Sequence, residues 1–168
     1  MGSRGFRTKK KIQVAHFEAI KEALLLLEEK AAMTRRGSGG SIHEKVEGLI
    51  AATFEHSTNR SQQVHLHHHL IIANLAMRSD QSWGTIESRY LMQWQKAAGS
   101  IYRAKLAEGI RSLGFSLKAE NESFHVSCIP KVICDEFSKR SKDIKEYLFD
   151  KGISNATAKQ KQIAALST

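Results

Sequence analysis

Between Leu49 and Ala76 the chain reads LIAATFEHSTNRSQQVHLHHHLIIANLA, with five of its eight histidines set between two runs of strand-forming apolar residues. In the second run Leu66, His68, Leu70, Ile72 and Asn74 alternate with His65, His67, His69, Ile71 and Ala73. Successive side chains of a strand point to opposite faces, so His67 and His69 share one face and His68 takes the other. Two residues along a strand rise about 6.6 Å, a span that two imidazoles can close on one cation with bonds of about 2.1 Å.

A third ligand comes from the first run if Leu49–Glu55 pairs with Leu66–Leu75 as a hairpin, because His56 then lies beside His67 and His69. The intervening Ser57–His65 segment is polar, as such a connection requires. Three neutral imidazoles with remaining positions open to water or a substrate oxygen suit a catalytic metal better than a structural one. The alternative from residue types alone is a surface histidine run. A tag would be terminal rather than embedded in a β-branched strand. Other two-histidine sites fit less well: a cupin-like site wants Glu near Ala73 or Asn74, and a binuclear hydrolase of the HxHxD kind wants Asp at Ile71.

The pattern H-x-T-x-R at His56–Arg60, followed by L-H-x-H with eleven residues from His56 to His67 and two more to His69, resembles the three-histidine motif of MobF-class conjugative relaxases. These are the TrwC/TraI-like members of the HUH endonucleases. Further stretches agree in order: AAMTRRGSGG before the motif, then KAAGSIYRAKLAEGIRSLGFSL and FSKRSKDIKEYL after it. Within the motif, Val64 stands where the family tends to have Pro, His65 where an acidic or amide residue is common, and His68 where Thr or an apolar residue is usual.

The resemblance implies a palm-like antiparallel sheet flanked by helices, a divalent metal on His56, His67 and His69, and single-stranded DNA at a transfer origin as partner. It implies the strand- and site-specific nicking and joining that mobilises plasmids in conjugation. In that reaction a tyrosine becomes linked to the 5′ end of the cut strand while the metal polarises a phosphate oxygen. The family's N-terminal tyrosine segment and its Asp-bearing strand have no counterpart here. A fold truncated at its N-terminal strands is therefore expected, with residues 12–168 a partial relaxase domain lacking a nucleophile. Tyr90, Tyr102 and Tyr147 lie outside any nucleophile segment. The expectation is a fragment not catalytically competent alone, with the missing segment or other conjugation proteins as further partners. Whether the chain is itself an enzyme stays open. The alternatives are a non-catalytic, metal-stabilised nucleic-acid-binding remnant and a basic helical interaction protein with incidental histidines. Three imidazoles do not select among Mg, Mn, Zn, Ni and Co.

A formal charge of +9 over 168 residues favours a polyanionic partner without separating DNA from RNA or an acidic protein. Candidate DNA contacts are Arg35 and Arg36 on a glycine-rich turn, Arg60 in the histidine motif, and Lys96 and Arg103 on a long helix. Each is equally a solvated surface charge. Cys128 and Cys134 lack a metal spacing and read as free thiols of a reducing compartment. No apolar run approaches the roughly 18 residues of a membrane span, and the start lacks a signal-peptide core, so a cytoplasmic location is expected.

The elements expected are α+β. Met1–Lys11 reads as a basic disordered start. Gln13–Met33 reads as an amphipathic helix with Val14, Phe17, Ile20, Leu24, Leu27 and Ala31 in the core, followed by a helix stop and flexible turn over Arg35–Gly40. After a turn at Arg78–Gln81, Ser82–Ser88 reads as a short strand, with Trp83 as packing and base stacking as its alternative. A helix over Tyr90–Leu113 closed by Gly114, a hairpin over Phe115–Ser127, a helix over Lys131–Asp150 ended by Gly152, and a last helix capped by Asn155 complete the pattern.

Overall fold

The computed structural model describes residues 2–153 and 157–167, and the chain divides into two compact units. Met1–Glu55 with His68–Cys128 forms one; His56–His67 with Ile129–Thr168 forms the other.

The first unit is built on two long helices, α1 (Gly2–Ala31) and α2 (Ser88–Ser112). Helix α1 starts well before Gln13, so the segment expected to be disordered is helical. Arg and Lys are good helix formers, and Phe6 and Lys10, one turn apart, bring the ammonium to 5.3 Å from the ring centroid. The buried face also differs from the one expected. Val14 is 61% exposed and Phe17 is exposed as well, while His16 and Ala19 are buried; Ala31 is buried as expected. The cause is the closeness of the two helices: a Cβ built on Gly109 would lie 2.7 Å from the Ala15 Cβ. Only small residues permit that approach, and it turns the Ala15–Ala19 side of α1 toward α2.

Four two-stranded sheets, rather than one continuous sheet, accompany the helices among the described residues. Strands β1 (Met33–Arg36) and β2 (Ile42–Lys45) pair antiparallel, Arg35 opposite His43, where a flexible turn was expected. Gly37, Gly39 and Gly40 all take positive φ, which closes the connection tightly enough for the flanking residues to pair. Strands β3 (Ala51–Thr58) and β4 (Val64–Ile72) form the histidine hairpin. Strands β5 (Ala76–Met77) and β6 (Trp83–Gly84) form a short ribbon, shorter than the expected Ser82–Ser88 strand, and Trp83 is 53% exposed rather than packed. Strands β7 (Leu117–Glu120) and β8 (Ser123–Val126) form the expected second hairpin, and Gly114 at φ +88° ends α2 as expected.

A small core joins these pieces. Ala32, Val46, Ala76 and Ile86 are buried together, with Leu49 and Leu91 packed against them. Burying side chains the size of Val or Ile contributes about 1.5–3 kcal/mol each. Thr34, fully buried, donates its hydroxyl to the Thr85 carbonyl at 2.6 Å, so its polar atom carries no unpaired penalty.

In the second unit the expected Lys131–Asp150 helix is interrupted, giving α3 (Lys131–Glu136) and α4 (Lys139–Asp150). Helix α5 (Ala158–Ser167) packs on α4, with Leu148 and Ala164 buried. The expected cap at Asn155 lies outside the described residues. Thr157 and Gln160 form a reciprocal box: Thr157 N–H donates to Gln160 Oε1 at 2.8 Å, and Gln160 N–H donates to Thr157 Oγ1 at 3.3 Å.

Candidate metal centre and basic groove

The hairpin places His56 near the end of β3, and His67 and His69 along β4. Backbone bonds bracket it, from Ala73 N–H to the Ile50 carbonyl at 2.8 Å and from Asn59 N–H to the Gln63 carbonyl at 3.0 Å. Each of the three histidines offers a ring nitrogen, and the three atoms lie within 4.8 Å of one another. The His56 and His67 ring centroids are 5.3 Å apart. His67 Nδ1 is 2.9 Å from the carbonyl oxygen of His65. A neutral imidazole that gives its Nδ1–H to a carbonyl presents Nε2 as the lone-pair nitrogen, the arrangement common in metal-ligating histidines. The donor set therefore fits a divalent transition ion.

His68 does point away, as the alternation requires. Its side chain is 5% exposed, stacked on His16 at 4.7 Å between centroids, with Nε2 3.7 Å from Glu55 Oε2. Glu55 in turn accepts from the Gln13 amide. Tyr102 meets His16 edge-on at 5.6 Å, and burial pushes its hydroxyl above the ordinary tyrosine range. That tyrosine belongs to the helix side of the strand. Tyr90 brings its hydroxyl to 3.3 Å from His43 Nδ1, and Tyr147 lies beside the Lys151 ammonium, 5.8 Å from ring centroid to nitrogen.

The candidate DNA contacts separate by what they already touch. Arg36 pairs with Asp80, stands 4.0 Å from Glu44 and donates to Ser82 Oγ at 3.1 Å. The Arg36 hydrogen bond holds the Asp80 carboxyl well below the carboxylate range, helped by Ser82, and Asp80 raises Arg36 in return. Arg35 reaches the nearly buried Glu87 at 2.8 Å. These two arginines brace the turn region. Arg60 is exposed at the hairpin tip.

Lys96 and Arg103 line a groove of about 1140 Å³ between α2 and the β7–β8 hairpin. Ala97, Ser100, Ala104 and Ala107, three and four residues apart, give it a floor of small side chains, and Arg111 extends its basic edge. Gln95, Gly99 and the hairpin residues Ala119, Asn121, Glu122, Ser123 and Phe124 complete the lining, and they were not singled out in the sequence. Nothing local marks Phe124 as a groove residue; the small-residue spacing on α2 is the signal that was present. Arg103 donates to Ser100 Oγ at 3.2 Å and lies 3.9 Å from the exposed Glu122, both of them groove residues.

A family model described as TrwC relaxase matches residues 3–168. The chain is 29% identical to the multifunctional conjugation protein TraI of Escherichia coli (strain K12) and 27% to a protein of the same name from Escherichia coli. Each match covers 95% of this chain and 9% of the relative, so the chain spans less than a tenth of their length. Among solved structures, the conjugative relaxase TrwC in complex with oriT DNA, copper-bound, superposes with a TM-score of 0.86 at 28% identity, over 94% of this chain and 55% of that one. A metal-bound form of the same complex gives 0.86 at 28% identity, over 94% and 56%. TrwC with a 27-mer comprising the recognition hairpin and the cleavage site gives 0.84 at 28% identity, over 93% and 56%.

Proposed function

The chain belongs to the TrwC relaxase family, and from that membership we propose that it carries the metal-holding and DNA-gripping part of a conjugative relaxase domain. The observation that supports this most is the convergence of His56, His67 and His69 on one hairpin face. A divalent cation bound there would supply a Lewis acid toward a non-bridging phosphate oxygen of single-stranded DNA at a transfer origin. The residues' own part is orientation: three neutral nitrogens fix the site, and the His65 carbonyl fixes the tautomer of His67.

The α2 groove binds the DNA backbone in this reading. Lys96, Arg103 and Arg111 supply phosphate contacts, the amide of Asn121 and the hydroxyl of Ser123 supply hydrogen bonds, and Phe124 offers an apolar surface to a base. Arg60 adds a cation at the hairpin tip. A cytoplasmic setting goes with this reading; no helix among the described residues is long and apolar enough to cross a membrane.

Strand transfer needs an acceptor hydroxyl, and Tyr90, Tyr102 and Tyr147 are each placed against other groups, at His43, His16 and Lys151. We therefore assign this chain metal and DNA binding without covalent joining on its own. Incubation with labelled transfer-origin-like single strands and Mn, followed by a denaturing gel, tests the assignment. The expected result is no protein-linked DNA. An adduct mapping to Tyr90, Tyr102 or Tyr147 in the chain alone would refute it.

A further inference from the structure

Gln63 sits at the hairpin tip between the exposed Gln62 and Val64, yet it is only 8% exposed. Its side-chain amide faces the break between α3 and α4. Nε2 donates to the Glu136 carbonyl at 3.0 Å, and Oε1 accepts from the Lys139 backbone N–H at 3.2 Å. Glu136 ends α3 and Lys139 begins α4, whose own N-cap residue, Ser138, makes no side-chain capping bond. Gln63 is thus a cap supplied from far away in sequence, and only one orientation of its amide satisfies donor and acceptor together.

The same residue closes its own loop. Its backbone N–H donates to Asn59 Oδ1 at 3.0 Å, and its carbonyl accepts from Asn59 N–H at 3.0 Å. Every polar group of Gln63 is therefore engaged, the backbone with the tip loop and the side chain with the two helices, and Oε1 also accepts from Asn59 Nδ2 at 3.4 Å. His56 precedes this clamp and His67 follows it, and the clamp lies in the one connection between them.

We propose that Gln63 is a positioning residue for the metal centre: by fastening the tip loop to the α3–α4 junction, it holds His56 and His67 at their 5.3 Å ring separation before any ion arrives. This inference rests on the metal reading above. Without the clamp, the polar connection would leave the two strand ends free to splay, and the ion would have to order them on binding. Groups that orient metal ligands without touching the metal act in this way.

The test compares the full chain with Gln63→Ala and Gln63→Glu. Co²⁺ affinity is read by calorimetry, the Co²⁺ ligand-field spectrum by absorption, and the His56 and His67 imidazole resonances of the metal-free chains by NMR. Gln63→Ala should bind Co²⁺ about 10- to 100-fold more weakly, the range for groups that orient ligands, with an altered spectrum and displaced imidazole resonances. Gln63→Glu keeps the acceptor for the Lys139 N–H but sets a carboxylate oxygen against the Glu136 carbonyl in place of the Nε2 donor, so it should also bind more weakly than the wild type. Unchanged affinity and spectrum in Gln63→Ala, or a Glu variant that binds as tightly as the wild type, would overturn the inference. If the wild type bound no Co²⁺, the metal reading would fall and the imidazole resonances would decide Gln63 alone: displaced in Gln63→Ala supports its role, unmoved overturns it.

Discussion

His67 Nδ1 lies 2.9 Å from the carbonyl oxygen of His65, two residues back on the same strand. Because the contact uses the backbone of His65 and not its ring, the two histidines have unequal roles. In the metal-free chain, neutral His67 should populate the Nδ1–H tautomer, readable from its ring ¹⁵N shifts. His65→Ala should leave both the tautomer and metal affinity near wild type, whereas an Nε2–H tautomer would contradict the geometry.

Binding to single-stranded DNA should weaken steeply with salt, because phosphate contacts release counterions. Lys96→Ala and Arg111→Ala, both on the groove, should each lower the salt slope by about one. Lys105 is paired with Glu108 at 3.0 Å and lies outside that groove, so Lys105→Ala should change affinity little. Fluorescence anisotropy at several salt concentrations separates these cases, and equal losses for all three would count against the groove.

Asp80 carries a pH dependence whose sign follows from its depressed carboxyl. Its pairing with Arg36 and Ser82 is fully present above the ordinary value of 3.8 and is lost as pH falls toward the lower folded value. Thermal unfolding between neutral pH and about pH 2 should therefore show wild type and Asp80→Asn converging as acid is added. A gap between them that widened in acid would contradict the pairing. Both groups are more than a third exposed, and the difference at neutral pH should be small.

The contact of Gly109 with Ala15 predicts a steric cost. Gly109→Leu inserts a side chain where even a Cβ would stand 2.7 Å from the Ala15 Cβ. Overpacking of this kind costs about 1–3 kcal/mol, which the better helix propensity of Leu offsets only in part. Denaturant unfolding measures it, and a variant as stable as wild type would show that the helices can move apart freely.

Alternation along Leu66–Asn74 was sufficient to place His67 and His69 together and to turn His68 away, because a strand's period is fixed by backbone geometry. The α2 boundaries, the β7–β8 hairpin and the Gly114 cap were legible for the same local reason. What the sequence hid was non-local. The buried face of α1 is set by Gly109 on another helix, so His16 and Ala19 rather than Val14 and Phe17 face inward. The break between α3 and α4 is capped by Gln63, 76 residues before Lys139. The β1–β2 pairing depends on three positive-φ glycines that read from composition as a flexible turn. In the site, the arginine pair looked like a phosphate grip, but Asp80 and Glu87 engage it from distant turns.

The most direct measurement is calorimetric titration of the metal-free chain with Co²⁺, alongside His56→Ala, His67→Ala and His69→Ala. The three-imidazole centre predicts one ion per wild-type chain and loss of that binding in each variant, with His68→Ala affecting stability rather than stoichiometry. Binding of His67→Ala with wild-type affinity and stoichiometry would contradict it.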